Sequence, residues 1–125
     1  MKQLFVPQDI ALMAKEKGFD EECISFYSNG VLNISRIESF DWCIVNSEME
    51  KQGLNYVSAP LYQQLVDWFR NKHGIVIWIE TAPYAHTFNF RFYIETSDNR
   101  QEGHKSKDYY KVYNEALIEG FKLIK

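Results

Sequence analysis

The side chains that most often hold metals or act as nucleophiles are few and scattered in this sequence. The three histidines, His73, His86 and His104, show no metal-ligand spacing such as HxxxH, and Cys23 and Cys43 form no CxxC pair. One histidine, at position 73, falls at a predicted helix C-terminus, where the helix dipole stabilises a partly charged imidazole, and the other two fall in predicted loops. We interpret both cysteines as buried free thiols and predict no metal, no cofactor and no catalytic centre.

Carboxylates are plentiful, but their spacing does not predict an acid/base pair. The acidic run at 20–22 is typical of a solvated turn, and Glu80 and Glu95 share a predicted sheet face near opposite ends of one hairpin. The sequence also contains no GxSxG, P-loop or GxGxxG pattern. A non-catalytic protein is therefore favoured. An enzyme with no recognisable motif, for example one that uses Cys23 as a nucleophile, stays open as an alternative.

One predicted sheet face carries the residues best suited to binding. Val76, Trp78, Arg91 and Tyr93 lie on the outward side of a predicted hairpin, and Arg91 opposite Trp78 predicts a cation–π contact. Tryptophan, tyrosine and arginine dominate protein-binding hot spots, so this face fits a protein partner or a second copy of the chain. Stacking of single-stranded nucleic acid on the aromatic rings is an alternative function. Cover of this face by segment 46–56 is a further interpretation.

Two strand-like segments with a period of two, residues 75–80 and 88–95, position that face. A slip of one residue turns every side chain over, so matching the apolar rows restricts the register. The match pairs Ile79 with Phe90 on the apolar side. On the outward side, the same register pairs Trp78 with Arg91. The apolar rows then share the other side of the hairpin. We expect seven apolar residues to meet there in one core, namely Leu65, Phe69, Ile77, Phe90, Phe92, Leu117 and Phe121.

The dipeptide Asn29-Gly30 gives the strongest local signal in the sequence. A type I′ turn needs positive φ at both central residues, and this pair is the preferred one. The turn joins the strand-like segments on either side of it and places Ser28 opposite Val31.

The remaining elements follow from helical spacing of apolar residues and from proline, glycine and capping signals. Helices are predicted over residues 7–17, 59–72 and 107–124, with Ser58 as the cap of the second. Residues 40–45 have the pattern of a third strand, whereas 46–56 and 97–106 are predicted as polar loops. The fold class is therefore α+β. We predict a mainly antiparallel sheet of four to five strands with three helices on one face, in the order α-β-β-(β)-α-β-β-α.

Length and composition set the broad class of the protein. The 125 residues are 46% apolar and 25% charged, which is ordinary for a single globular domain over residues 1–125. A formal net charge of −3 gives a nucleic-acid backbone little attraction, so nucleic acid is the less favoured partner. No apolar run is long enough for a membrane span or a signal peptide, and free cysteines suit the cytoplasm. We therefore expect a cytoplasmic protein with no membrane partner.

Two motifs mark a family. Residues Ala59 to His73 fit the pattern APxxxQxxxWFRxKH, and residues Gly18 to Cys23 read GFDEEC, with Glu22 where the pattern GFDEPC has proline. These motifs resemble those of a family of small uncharacterised proteins encoded by phages and mobile elements of Bacteroidetes.

The resemblance extends over most of the chain and includes the segment 113–117 near its end. It implies the same α+β fold and a phage or mobile-element setting, and it carries no activity or catalytic residue to transfer. The resemblance therefore leaves the function open. The residues themselves offer surfaces and no catalytic site, so they favour a non-catalytic protein-interaction domain, such as a phage or mobile-element accessory protein.

Overall fold

Residues 4–34, 45–84 and 87–124 are described in the computed structural model, and within them the chain forms four helices and six strands. In chain order these elements are α1 (Gln8–Glu16), β1 (Ser25–Ser28), β2 (Val31–Ile34), α2 (Asn46–Lys51), β3 (Tyr56–Ser58), α3 (Tyr62–His73), β4 (Val76–Tyr84), β5 (Thr87–Glu95), β6 (Arg100–Glu102) and α4 (Tyr109–Lys122).

The strands form two antiparallel sheets of three strands each, with the orders β2-β1-β3 and β4-β5-β6. The α+β class is confirmed, whereas the predicted layout of one sheet with three helices is wrong in detail. The chain divides into two compact units, Met1–Gln64 and Leu65–Lys125. The first sheet belongs to the first unit and the second sheet to the second.

In the first unit, the turn between β1 and β2 has the predicted form. Asn29 has φ of 51° and Gly30 has φ of 77°, which are the positive values that a type I′ turn requires. Ser28 lies opposite Val31, as predicted. The local turn chemistry alone therefore fixes the register of this hairpin.

The segment 46–56 was predicted as a loop, and this prediction is wrong because the segment contains α2 and the start of β3. The Asn46 side chain is buried, donates to the Phe19 carbonyl at 2.9 Å and accepts from the Ser58 N–H at 2.9 Å. Met49 is buried on the same helix. A single polar side chain thus anchors an element whose sequence is mostly polar. The predicted third strand at 40–45 lies, except for its last residue, outside the described residues.

The second predicted helix starts three residues later than expected, at Tyr62. Ser58 does not cap it, because Ser58 pairs with Phe26 as the last residue of β3. The residue after β3 still bonds to the backbone of β1, since the Ala59 N–H donates to the Ser25 carbonyl at 2.9 Å. Backbone pairing with β1 therefore outweighs the local capping signal.

In the second unit, β4 and β5 form the predicted hairpin, but its predicted register is wrong by two residues. Ile79 lies opposite Phe92 rather than Phe90. A shift of two residues keeps every side chain on its own face, so matching apolar rows does not distinguish the two registers.

The observed register gives better cross-strand pairs on the outward side. It sets Trp78 opposite Tyr93 and Glu80 opposite Arg91, that is, an aromatic pair beside a pair of opposite charges. Directly opposed aromatic and oppositely charged side chains each stabilise an antiparallel pair by roughly 0.2–1 kcal/mol relative to alanine. These outward pairs are consistent with the observed register.

The segment 97–106 was also predicted as a loop, and it contains β6. Residues Thr96 and Asn99 close a short turn through the Thr96 N–H, which donates to the Asn99 carbonyl at 2.8 Å. The turn returns the chain so that Arg100 lies opposite Glu95. The third helix of the prediction, 107–124, is α4, whose cap Asp108 accepts from the Lys111 N–H at 3.2 Å.

The core of the second unit lies between α4, α3 and the inner side of β4 and β5. Six of the seven predicted core residues are buried, namely Leu65, Phe69, Ile77, Phe92, Leu117 and Phe121. The seventh, Phe90, is only half-buried, because it lies near the far end of the hairpin. Gly120 allows α4 to approach β4 closely, since a Cβ there would lie 2.9 Å from Ile77 Cδ1.

Candidate functional site

The outward side of the second sheet is the candidate site, and we call it the outer face. Alternation along the strands places on it residues from β4, β5 and β6. They are Val76, Trp78, Glu80, Arg91, Tyr93, Glu95, Arg100 and Glu102. The four residues predicted for the site therefore share one face.

Two aromatic rings occupy the centre of the outer face. Trp78 and Tyr93 stack with ring centroids 5.3 Å apart and an angle of 16° between planes. Both side chains are half-buried. The Trp78 indole N–H donates to Glu80 Oε1 at 3.0 Å, which holds the indole in place along its own strand. Val76, at the edge of this pair, is 39% exposed.

Arg100 provides the cation that contacts these rings. Its guanidinium carbon lies 5.5 Å from the centroid of Trp78 and 4.9 Å from that of Tyr93, within cation–π range of both. The predicted contact of Arg91 with Trp78 is wrong, because the register shift sets Tyr93 opposite the tryptophan.

Arg91 instead forms an ion pair across the strands. Its Nη1 donates to Glu102 Oε2 at 3.4 Å, with 29% of the arginine side chain exposed. Strand β6 contains both Glu102 and Arg100, the residue whose guanidinium lies over the rings. The Ser-Asp-Asn run at 97–99 was the available signal for β6, because such clusters mark turns between strands.

The charges of the outer face are mixed. Glu80, Glu95 and Glu102 are exposed, and the two guanidinium groups, of Arg91 and Arg100, are engaged by a carboxylate and by the rings. This arrangement leaves an aromatic centre inside a polar and mostly acidic rim. It resembles the layout of protein-binding surfaces and offers little charge for a polyphosphate backbone.

Cys23 lies in the first unit and is buried, as predicted. Burial raises the pKa of its thiol from 9.0 to about 11. Its Sγ lies 3.8 Å from Gln64 Oε1 and 3.6 Å from the Glu21 carbonyl, so it acts as a weak donor. A protonated thiol is a poor nucleophile at neutral pH. Cys43 lies outside the described residues.

His73 is the last residue of α3, at the predicted helix end. Its exposed ring packs edge-on against Trp68 with centroids 4.7 Å apart. His104 is exposed beside β6, and His86 lies outside the described residues. Across the described ranges, no three histidine, cysteine, aspartate or glutamate residues are grouped to hold a metal ion.

A shallow cleft of about 340 Å³ lies beside β6 in the second unit, and it is lined by Phe92, Gln101, Glu102, Gly103, His104, Glu115 and Glu119. Glu119 is already engaged, since it accepts from Gln101 at 3.3 Å and from Lys122 at 2.9 Å. The Lys122 hydrogen bond lowers the pKa of Glu119, which keeps this carboxylate ionised. Glu119 is therefore not held protonated for proton transfer.

Comparison with known proteins places the chain in no group. No family model matches the chain, and no curated protein or solved structure matches it either. Among the described residues, no helix is long and apolar enough to cross a membrane.

Proposed function

We propose that this chain is a non-catalytic protein-interaction domain and that the outer face is its contact surface. The observation that carries the proposal is the half-exposed Trp78–Tyr93 stack under the Arg100 guanidinium. Aromatic rings and arginines contribute most of the binding energy at protein interfaces. The resemblance to phage and mobile-element proteins is compatible with a small accessory protein and does not indicate its partner.

Rigidity of the surface adds support. The stacked rings, the Trp78–Glu80 hydrogen bond and the Arg91–Glu102 ion pair fix the side chains before binding. A preorganised surface loses less side-chain entropy when a partner binds. A partner that covers the aromatic centre with an apolar side chain, and meets the acidic rim with basic or hydrogen-bonding groups, fits this surface.

Single-stranded nucleic acid on the same face has less support. Three carboxylates surround the rings, and each raises the cost of placing a phosphate nearby. The guanidinium of Arg100 also occupies ring surface on which a base would stack. Binding of labelled oligonucleotide in a salt-dependent way by the wild-type chain would favour this alternative over the proposal.

The test replaces both rings, as Trp78→Ala with Tyr93→Ala, in a variant shown to be folded by circular dichroism. A matched control exists in the first sheet, where Phe26 and Tyr56 stack at 4.8 Å and are also half-buried. Light scattering reports self-association, and affinity capture from cells with mass spectrometry reports other partners.

We expect the Trp78/Tyr93 variant to lose association or partner capture by tenfold or more, as for a hot-spot pair. The Phe26→Ala/Tyr56→Ala control should keep it. Equal loss in both variants, or retention by the Trp78/Tyr93 variant, would remove the outer face as the contact surface. A wild-type chain that is monomeric and captures nothing would overturn the proposed function.

A further inference from the structure

The second sheet has an open edge along β4. In the order β4-β5-β6, β5 lies in the middle, so β4 has a neighbouring strand on one side only. Among the residues that the structure describes, no backbone hydrogen bond reaches the other side of this nine-residue strand. An unpaired strand edge is a template for another strand, and proteins usually shorten, charge or cover such an edge. The open side of β4 is therefore a candidate for pairing with a further strand.

Three residues of β4 direct their backbone N–H and C=O groups to the open side. On β5, the backbones of Phe90 and Phe92 bond to the chain segment on the β6 side, and therefore point away from β4. Their partners on β4, Thr81 and Ile79, form non-hydrogen-bonded pairs with them and point away from β5. Alternation along the strand adds Ile77. We call Ile77, Ile79 and Thr81 the β4 edge.

The β4 edge is bounded at both ends. Pro83 is the next residue whose backbone faces the open side, and proline has no N–H to offer. At the other end, the Ile75 N–H already donates to the Phe69 carbonyl at 3.1 Å. The free donors and acceptors are therefore arranged symmetrically about Ile79.

The side chains along the β4 edge leave it accessible. Glu80 and Thr81 are exposed, and Ile79 is half-buried. Ile79 belongs to the inner, apolar row, in which Ile77 on the same strand and Phe92 on β5 are each buried at 4% exposure. Apolar surface of Ile79 is thus left uncovered where the sheet ends.

We propose that the β4 edge pairs with the β4 edge of a second copy of this chain, antiparallel and centred on Ile79. Ile79 then faces its own copy across a two-fold axis, and Ile77 faces Thr81 of the second copy. Each copy contributes three N–H and three C=O groups, so six hydrogen bonds pair all of them. A shift by one or two residues sets part of the β4 edge against Pro83 or Ile75 and leaves groups unpaired.

The side chains fit the same register. On the outward side, Trp78 faces Glu80 of the second copy, so no two like charges are opposed. A pair centred on Glu80 would instead set two carboxylates directly opposite each other, which is destabilising. On the inward side, the two Ile79 side chains meet and remove apolar surface from water. A second copy therefore satisfies the backbone and both rows of side chains, whereas a peptide of arbitrary sequence satisfies the backbone alone.

The contact joins two three-stranded sheets into one sheet of six strands. Because the two-fold axis is perpendicular to the sheet, both outer faces lie on the same side of it. The pairing goes through backbone groups of β4 and does not depend on the function proposed for the outer face.

The first experiment measures the oligomeric state of the full chain by sedimentation over a concentration series. Thr81→Pro removes an N–H that faces the open side and makes no bond to β5, and circular dichroism checks that the variant is folded. Thr81→Val is the matched control, since valine keeps the N–H and the β-branched shape. We expect the wild type and Thr81→Val to dimerise. Thr81→Pro should weaken dimerisation by tenfold or more, because one hydrogen bond is lost from each copy.

The second experiment tests the register by oxidative cross-linking of single-cysteine additions, read on a non-reducing gel. In the proposed pair, position 79 lies about 5.5 Å from its own copy between Cα atoms, which a disulfide spans. Position 81 is displaced from its own copy by four residues, about 13 Å. We expect Ile79→Cys to form a covalent dimer and Thr81→Cys to stay at the wild-type baseline, although the threonine is the more exposed of the two.

Three results would each overturn the proposal: a wild-type chain that stays monomeric throughout the series, equal dimerisation of Thr81→Pro and Thr81→Val, or cross-linking at position 81 as fast as at position 79. The outer face is tested separately. Self-association that survives Trp78→Ala/Tyr93→Ala and is lost in Thr81→Pro belongs to the β4 edge, and partner capture alone then tests the outer face.

Discussion

At the scale of the residue, Gly103 shows how one missing side chain leaves room for a neighbouring aromatic ring. Gly103 follows β6 and its N–H donates to the Phe92 carbonyl at 3.0 Å. A Cβ atom built at position 103 would overlap the ring of Phe92, which is buried in the core. Any larger residue therefore has to displace this ring.

Gly103→Ala should accordingly lower the free energy of unfolding by about 1–3 kcal/mol, the usual cost of overpacking a core. Urea denaturation followed by circular dichroism measures it. Combining Gly103→Ala with Phe92→Leu makes the ring smaller, so the double variant should lose less than the sum of the two single losses. Unchanged stability of Gly103→Ala would show that the ring is not held where the structure has it.

The residues of the outer face were predictable to different degrees. Trp78 and Tyr93 follow from a period of two in a strongly apolar segment, so their shared face was evident from the sequence. The place of Arg100 on this face was not evident from the sequence. Strand β6 is three residues long and fully polar, and the pairing of β6 with β5 depends on a turn that the sequence marks only weakly. The cation over the rings is thus set by tertiary pairing, which local patterns do not encode.

At the scale of the element, what the sequence predicts depends on whether the signal is local. The β1–β2 hairpin was predicted together with its register because turn chemistry within two residues determines both. The register of β4 and β5 was not predicted correctly, because a shift of two residues leaves every side chain on the same face of the sheet. Helix α2 was missed because its anchor is the Asn46 side chain, whose partners Phe19 and Ser58 are far away in sequence.

A substitution in the turn between β1 and β2 tests how much this turn contributes to stability. Gly30→Val places a β-branched residue at φ of 77°, a left-handed conformation that costs an L-residue about 1–2 kcal/mol. The free energy of unfolding should fall by about that amount. Gly30→Asn is the control, since asparagine adopts this conformation more easily, and it should lose clearly less. Equal losses for valine and asparagine would mean that the turn can change type without cost.

At the scale of the whole molecule, both units hold ionisable groups whose neutral forms are favoured by burial. In the first unit, burial raises the pKa of Cys23 to about 11 and that of Tyr27 above its ordinary value. In the second unit, burial raises the pKa of Tyr113 to about 12 and that of Tyr109 in the same direction. When these groups ionise in the unfolded chain, they stabilise it relative to the folded chain.

The sign of the resulting pH dependence follows directly. A thiol with a folded pKa of about 11 and an ordinary value of 9.0 stabilises the fold fully below pH 9, and this contribution is lost as the pH rises toward 11. Since one pKa unit corresponds to about 1.4 kcal/mol, the thiol accounts for at most about 2–3 kcal/mol of the fall. Urea unfolding between pH 8 and about pH 11 should therefore show steadily decreasing stability, and Cys23→Ala should make the decrease shallower without removing it, because the tyrosines still titrate. Stability that stays constant or rises over this range would contradict the burial of these groups in both units.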